Sequence, residues 1–308
     1  MTQSAPLLLS IFASDILPIF VIAGVGFLLA RFADVGARPL SRVTFNALAP
    51  CLVFNMLMTS PLGRDDFGRI AAFCLLTLAA SGLAARLAAA ALGLDRPSRI
   101  AFLLVVMFSN SGNYGLPVAL FAFGPEALTF ATVYFVISSI LTYTLGVFLA
   151  ASGRRSVADA LAGVVRVPTV YAVAAAALFM LFGSTPPAIV MRPIEMLSNA
   201  SLPLMILVLG MQLERAVLGE RPAVIATAVA LSLFVTPAMA FGIARLLDLS
   251  GPALQASLLQ ASMPAAVITT ILALQYEVAP SLVTNVVFVS TVLSPLTLTV
   301  LIALLKRL

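Results

Sequence analysis

The sequence predicts an all-α polytopic membrane protein, with ten transmembrane helices arranged as two inverted five-helix repeats, and three observations predict it. The 308 residues are 62% hydrophobic and 9% charged, with a mean hydropathy of +1.14, whereas a water-soluble domain is about half apolar and a quarter charged. The charges stand in short groups (Arg31/Asp34/Arg38, Arg64/Asp65/Asp66/Arg69, Asp95/Arg96/Arg99, Arg154/Arg155/Asp159, Glu214/Arg215/Glu220/Arg221). Apolar runs of roughly 20 residues, the length that crosses a ~30 Å hydrocarbon core, separate them. The third observation is a repeat at an offset of about half the chain.

Taken in order, the spans are expected at 8–30, 40–59, 69–92, 98–122, 126–150, 166–183, 192–211, 222–246, 252–274 and 280–304. Span one lacks the basic leader and cleavage site of a signal peptide, so it is expected to be retained. Spans two to five run between successive charge groups, with Pro97 and Pro125 opening the fourth and fifth. Span six is short and opens on "RVPTVY". Spans seven to ten follow the same logic, with Pro252 and Pro280 opening the last two.

"RPL…NALAP" at 38–50 recurs as "RPI…NASLP" at 192–203, placing Asn46 and Asn199 each four residues before a proline. Pro97, Pro125, Thr129 and Ser139 recur as Pro252, Pro280, Thr284 and Ser294, all at an offset of 155. Several matches in one order indicate duplication: 1–150 is a first five-helix repeat, 151–165 a short loop, and 166–308 a second repeat. Five helices are an odd number, so the second copy enters the bilayer upside down, as in secondary transporters. Of the 17 Lys and Arg, about 11 fall on the side of the odd-numbered loops and about 6 on the side of the termini. The positive-inside rule then puts both termini outside and 151–165 in the cytoplasm. Lys306 and Arg307 run against this orientation.

"SNSGNYGLP" at 109–117 interrupts span four. In a helix Gly112 and Gly115 cost about 1 kcal/mol each and Pro117 about 3, and Pro117 frees the carbonyl of Asn113. Freed backbone groups in hydrocarbon need protein or water partners, so the break belongs beside a polar pocket. Asn110 and Asn113 bring amides that need partners as well. Span nine, the repeat partner, carries "QASMPAAVITT" with Pro264 near its centre. Two discontinuous helices at matching places mark a transporter's substrate site, and each exposes a half-helix N-terminus suited to an anion. Gly112, Gly115, Pro117 and Pro264 are the crossover and hinge residues on this reading. The competing reading is a pair of proline kinks with serines and threonines bonded to their own helices.

"SNSGNYGLP", "MPAA" at 263–266 and "STVLSPLTL" at 290–298 resemble the auxin efflux carrier family, which includes plant auxin exporters and bacterial permeases for malonate, malate and similar acids. The resemblance covers nearly the whole chain, without the long central loop of many plant members. It implies the fold of sodium/proton antiporters and bile-acid transporters: spans 1, 2, 6 and 7 as a scaffold, and spans 3–5 and 8–10 as a transport domain in which broken helices cross. It also implies a homodimer and an elevator-like motion. Carried over by motif, the Asn that holds the substrate carboxylate matches Asn110. The crossover prolines match Pro117 and Pro264, with Val267 three residues beyond the latter. A second substrate-contacting Asn falls on Thr169, and an Asp and a Lys of span three fall on Ala72 and Leu76. These departures argue against auxin itself as the substrate.

The basic excess sits at helix ends and implies anionic lipid, not nucleic acid. Cys51 and Cys74 fall within spans and there is no His, so neither a disulfide, a metal site nor a catalytic constellation is expected. No cofactor is expected. Asp15, near Pro18, reads either as an interfacial residue or as a proton relay, and Glu126 suits the start of its helix. Sodium coupling stays open, with Ser109, Asn113, Gln260, Ser262 and Thr270 as candidate ligands. Asn46 and Asn199 read equally as facing the site or as bridging kinks at Pro50 and Pro203. The expected function is an elevator-type secondary carrier of small organic anions, with substrate contacts at Asn110, Asn113, Thr169, Pro264, Val267, Asn46 and Asn199. The alternatives are a uniporter exporting an indole-like or other monocarboxylate and, in another class, a membrane ligand sensor without transport.

Overall fold

The computed structural model describes residues 4–33, 35–59, 63–151, 165, 167–214 and 221–308. The expected cytoplasmic loop at 151–165 lies almost wholly outside the described residues. Those residues form helices: α1 (Pro6–Phe32), α2 (Ala37–Thr59), α3 (Arg64–Ala91), α4 (Arg96–Met107), α5 (Ser111–Ala150), α6 (Pro168–Leu181), α7 (Ala188–Leu213), α8 (Pro222–Leu246), α9 (Gly251–Ala261), α10 (Ile268–Gln275) and α11 (Pro280–Leu305). Seven of them are long and apolar enough to cross a membrane. The fold is that of a polytopic α-helical membrane protein.

Proline sets much of the local structure. It stands in the first turn of α4, α6, α8, α9 and α11, where its missing N–H would have no intrahelical partner anyway. Inside helices it acts differently. Four of the five π-helical turns among the described residues, Phe12–Ile16, Thr44–Leu48, Ser111–Gly115 and Leu231–Val235, end two residues before a proline (Pro18, Pro50, Pro117 and Pro237), while Thr142–Gly146 has none. The proline ring clashes with the carbonyl four residues back and offers that carbonyl no donor, so the turn just ahead of it widens. At Gly124 the chain takes φ 84° and ψ −173° and kinks α5 into limbs 111–123 and 125–150, a backbone that only glycine adopts without strain.

The polarity of the fold is that of a protein solvated by lipid. Leu9, Phe32, Phe182, Ile189 and Leu246 lie on the surface, while Gln260, Asn285, Thr132, Ser290 and Ser294 are buried. Hydrocarbon tolerates the former, and the latter can find polar partners only inside the bundle. α1 packs most extensively on α7, and α2 on α6 and α7. A second set joins α3 to α4 and α8, α9 to α5 and α8, and α11 to α4 and α8. The approach of α1 to α7 is at backbone contact. A Cβ on Gly26 would strike the carbonyl of Leu207, and one on Gly210 the carbonyl of Ala23. The apolar interior forms two clusters that meet at Leu141 and Val267, each packed against both.

Candidate functional site: a helix crossover and its hydroxyl cleft

α4 stops at Met107, and Phe108 to Asn110 run in non-helical conformation before α5 begins at Ser111. α9 stops at Ala261, and the chain is unwound until α10 starts at Ile268. The two gaps lie side by side as an isolated antiparallel bridge between Ser109 and Ala265. Asn110 N–H donates to the Pro264 carbonyl and Ala266 N–H to the Phe108 carbonyl, both at 2.8 Å. Each interruption thereby supplies partners for the other's freed backbone groups, which resolves the problem a broken helix poses at membrane depth. Sequence reasoning puts the first interruption somewhere in 109–117. The break itself lies at 108–110, and Pro117 sits within α5 behind the π-helical turn.

The crossover collects most of the polar residues the sequence singles out. Asn110 is 6% exposed and its Nδ2 has no partner. Gln260 is fully buried: its Nε2 donates to the Ala131 carbonyl at 3.2 Å, and its Oε1 has no partner. An orphaned buried polar atom costs about 1–3 kcal/mol, so these atoms are either a defect or a site. Gly115 allows the two helices to meet, because a Cβ there would fall on Gln260 Oε1. Gly112 likewise faces the edge of Phe135, with 2.7 Å left for a Cβ. Pro264 is buried in the unwound segment, and Asn113, Val267 and Thr270 are half-buried. Ser262 is turned back on its own helix, donating to the Leu258 carbonyl at 2.7 Å.

Other candidates lie elsewhere. Thr169 is fully buried in the first turn of α6 with its hydroxyl unpartnered, and no hydrogen bond joins it to the crossover. Asn46 and Asn199 are exposed, Asn46 donating to the Arg42 carbonyl at 2.8 Å. Their neighbours hold α2 to α7 instead: Asn55 donates to Ser198, and Ser201 to the Leu48 carbonyl. Glu126 is exposed where the second limb of α5 begins. Asp15 is buried, accepts from Ser14 at 2.6 Å and pairs with Lys306 at 2.5 Å. The carboxyl of Asp95, outside the spans, is held below the ordinary carboxylate range by a hydrogen bond from Ser98, with Arg221 adding to this.

Sequence reasoning missed a cleft behind the crossover. It is narrow, with room inside for about one water molecule, and helices α3, α4, α5, α8 and α9 wall it. Its polar lining is mostly hydroxyl: Thr77 and Ser81 of α3, Ser232 and Thr236 of α8, Tyr134 and Ser138 of α5, with Ser109 from the break itself and the Cys74 thiol of α3 beside them. The signal that finds the first four is the 155-residue offset, which carries Thr77 onto Ser232 and Ser81 onto Thr236. Asn285, fully buried on α11 with neither end of its amide partnered, was also missed.

Comparison with known proteins adds a family. A family model described as "Membrane transport protein" matches residues 11–161 and 153–302. An uncharacterised transporter of Methanothermobacter thermautotrophicus is 30% identical over 283 residues, 91% of this chain and 93% of that one. An uncharacterised transporter of Methanocaldococcus jannaschii is 28% identical over 198 residues, 62% of this chain and 64% of its own.

Proposed function

The chain belongs to the membrane transport protein family, the auxin efflux carrier-like family its motifs resemble, and from that premise we propose that it is a secondary carrier of small organic anions and not an enzyme. The observation that supports this reading best is the crossing of two interrupted helices at Ser109 and Ala265. The limb of α5 opening at Ser111 and the helix opening at Ile268 each present an N-terminus to the crossover. An N-terminus carries about half a positive charge; at α10 the Thr269 and Thr270 N–H groups are already engaged by the Ala266 and Val267 carbonyls, so that end acts chiefly through its field. Beside the two N-termini is the unpartnered Nδ2 of Asn110, a donor in want of an acceptor. A carboxylate suits all three, which is the general arrangement for an anion at the discontinuous helices of a transporter.

On this proposal the ten spans form two inverted five-helix repeats, and the α1, α2, α6 and α7 group is the scaffold of a homodimer. The α3–α5 and α8–α11 group carries the substrate across the cytoplasmic membrane by an elevator-like displacement. Both termini lie outside and 151–165 faces the cytoplasm. Lys306, which runs against the charge rule, is engaged by Asp15.

Counterflow in proteoliposomes tests the reading. Vesicles are loaded with unlabelled carboxylates and the uptake of labelled malonate or indole-3-acetate is followed. One acid is expected to accelerate uptake, and Asn110→Ala to weaken it about 10- to 100-fold, the worth of a hydrogen bond to a charged group. Exchange with no acid, or full exchange by the variant, would overturn the substrate class or its site.

A further inference from the structure

The hydroxyl cleft lies on the opposite electrostatic side of the crossover from the helix N-termini. The carboxyl end of α4 lines it through Val105, Val106 and Met107, and the carboxyl end of α9 through Ala261. Helix C-termini carry partial negative charge and unpaired carbonyls, which favour a cation. The lining holds no Asp, Glu, Lys, Arg or His. An anion would therefore meet no countercharge there, and a divalent ion would lack the carboxylates it normally takes. The space inside admits about one water-sized sphere.

The hydroxyls are arranged to accept rather than donate. Thr77 and Ser81 share a face of α3, and Ser232 and Thr236 a face of α8, since residues four apart stack along a helix. Ser81 Oγ spends its proton on the Leu78 carbonyl at 3.0 Å and Ser232 Oγ on that of Val105 at 3.4 Å, leaving their lone pairs open. Thr77 and Thr236 are 3% and 6% exposed, and their hydroxyls have no partner at all. Both can turn their protons onto a carbonyl four residues back, as Thr132, Thr142 and Thr291 do, and offer oxygen lone pairs to the cleft.

We propose that this cleft binds one monovalent cation of sodium's size, held by Thr77, Ser81, Ser232 and Thr236 between the carboxyl ends of α4 and α9. Neutral oxygens from matching positions of the two halves form the cage, and the helix ends supply its negative potential. Ser109 lines the cleft while Asn110, the next residue, faces the proposed carboxylate, so cation and anion would sit on either side of a single peptide. That coupling rests on the carrier reading, but the site itself does not.

Thermal unfolding of the purified protein, followed by circular dichroism without substrate in sodium, potassium or choline chloride at equal ionic strength, tests the site. Sodium at about ten times its Kd is expected to raise Tm by roughly 2 °C over choline, with potassium well short of that. Thr77→Val/Thr236→Val abolishes the rise, Thr77→Ser/Thr236→Ser keeps it, and Asn110→Ala keeps it. Should the valine pair fail to fold, Ser232→Ala, which deletes one ligand oxygen, is expected to shift the sodium titration about tenfold to higher concentration. No sodium-specific rise, an equal rise in potassium, or a rise that survives both the valine pair and Ser232→Ala would overturn the proposal. Sodium binding without any carboxylate exchange would overturn the carrier reading and leave this one standing.

Discussion

A methyl group at position 115 would land on Gln260 Oε1, and Gln260 has nowhere to retreat. Its side chain is fully buried, with the amide nitrogen engaged by the Ala131 carbonyl. Gly115→Ala is therefore expected to lower unfolding stability by about 1–3 kcal/mol, as overpacking does, and to abolish carboxylate exchange by prising the crossover apart. Adding Gln260→Ala opens the space, so the double variant should melt above Gly115→Ala alone. Strict additivity of the two changes would mean that the close approach is not what demands glycine. At this scale the sequence was partly legible. Asn110 and Gln260 stood out because amides are costly in apolar helices. Thr77, Ser81, Ser232 and Thr236 did not, because Ser and Thr in such helices ordinarily bond to their own backbone, and nothing local separates those that do from those that do not. Only comparing the two halves position by position would have raised them.

At the scale of elements, proline and glycine spacing carried the most information. The openings of α4, α6, α8, α9 and α11 coincide with a proline in the first turn, and the 108–110 gap falls beside a predicted interruption. The π-helical turns ahead of Pro18, Pro50, Pro117 and Pro237 were not foreseen, since proline tells where a helix is stressed and not how the backbone yields. The backbone-distance approach of α1 to α7 was equally silent in the residues, because glycines in an apolar run look alike; only the family resemblance puts the two helices in one group. The structure separates them: Gly26 sits against the Leu207 carbonyl, whereas Gly24 faces open space. Thermal denaturation in detergent should show Gly26→Ala destabilised by about 1–3 kcal/mol, with Gly24→Ala unchanged or slightly stabilised by its better helix propensity. Equal behaviour of the two would mean that α1 and α7 do not meet at backbone distance. Gly210→Ala, which meets Ala23 from the other side, should reproduce the loss.

Across the whole molecule, polar contacts are distributed unevenly between the two helix groups. Arg31–Glu214 and Asn55–Ser198 stay within α1, α2 and α7, while Arg221–Asp95 and Gln255 with the Leu305 carbonyl stay within the other group. Rings pack across the boundary, Phe20 edge-on to Tyr114 and Phe45 against Tyr143. Apolar surfaces can slide past each other without leaving polar atoms unpaired, which suits relative motion of the groups. The ion pair of Asp15 on α1 with Lys306 at the end of α11 crosses the same boundary, and its Asp side chain is 6% exposed. Because Lys306 is itself 38% exposed, its loss leaves the buried Asp15 carboxylate unpaired but partly within reach of solvent, at a cost below the roughly 3–5 kcal/mol of a fully buried pair. Lys306→Met should therefore destabilise clearly, with part of the loss returned by Asp15→Asn/Lys306→Met. The double variant then reports on motion. If the groups move as an elevator, the pair has to part in each cycle, and a protein without it should exchange substrate faster than wild type while melting no higher. If exchange in the double variant is unchanged, the pair stays closed throughout, and α1 and the end of α11 travel together.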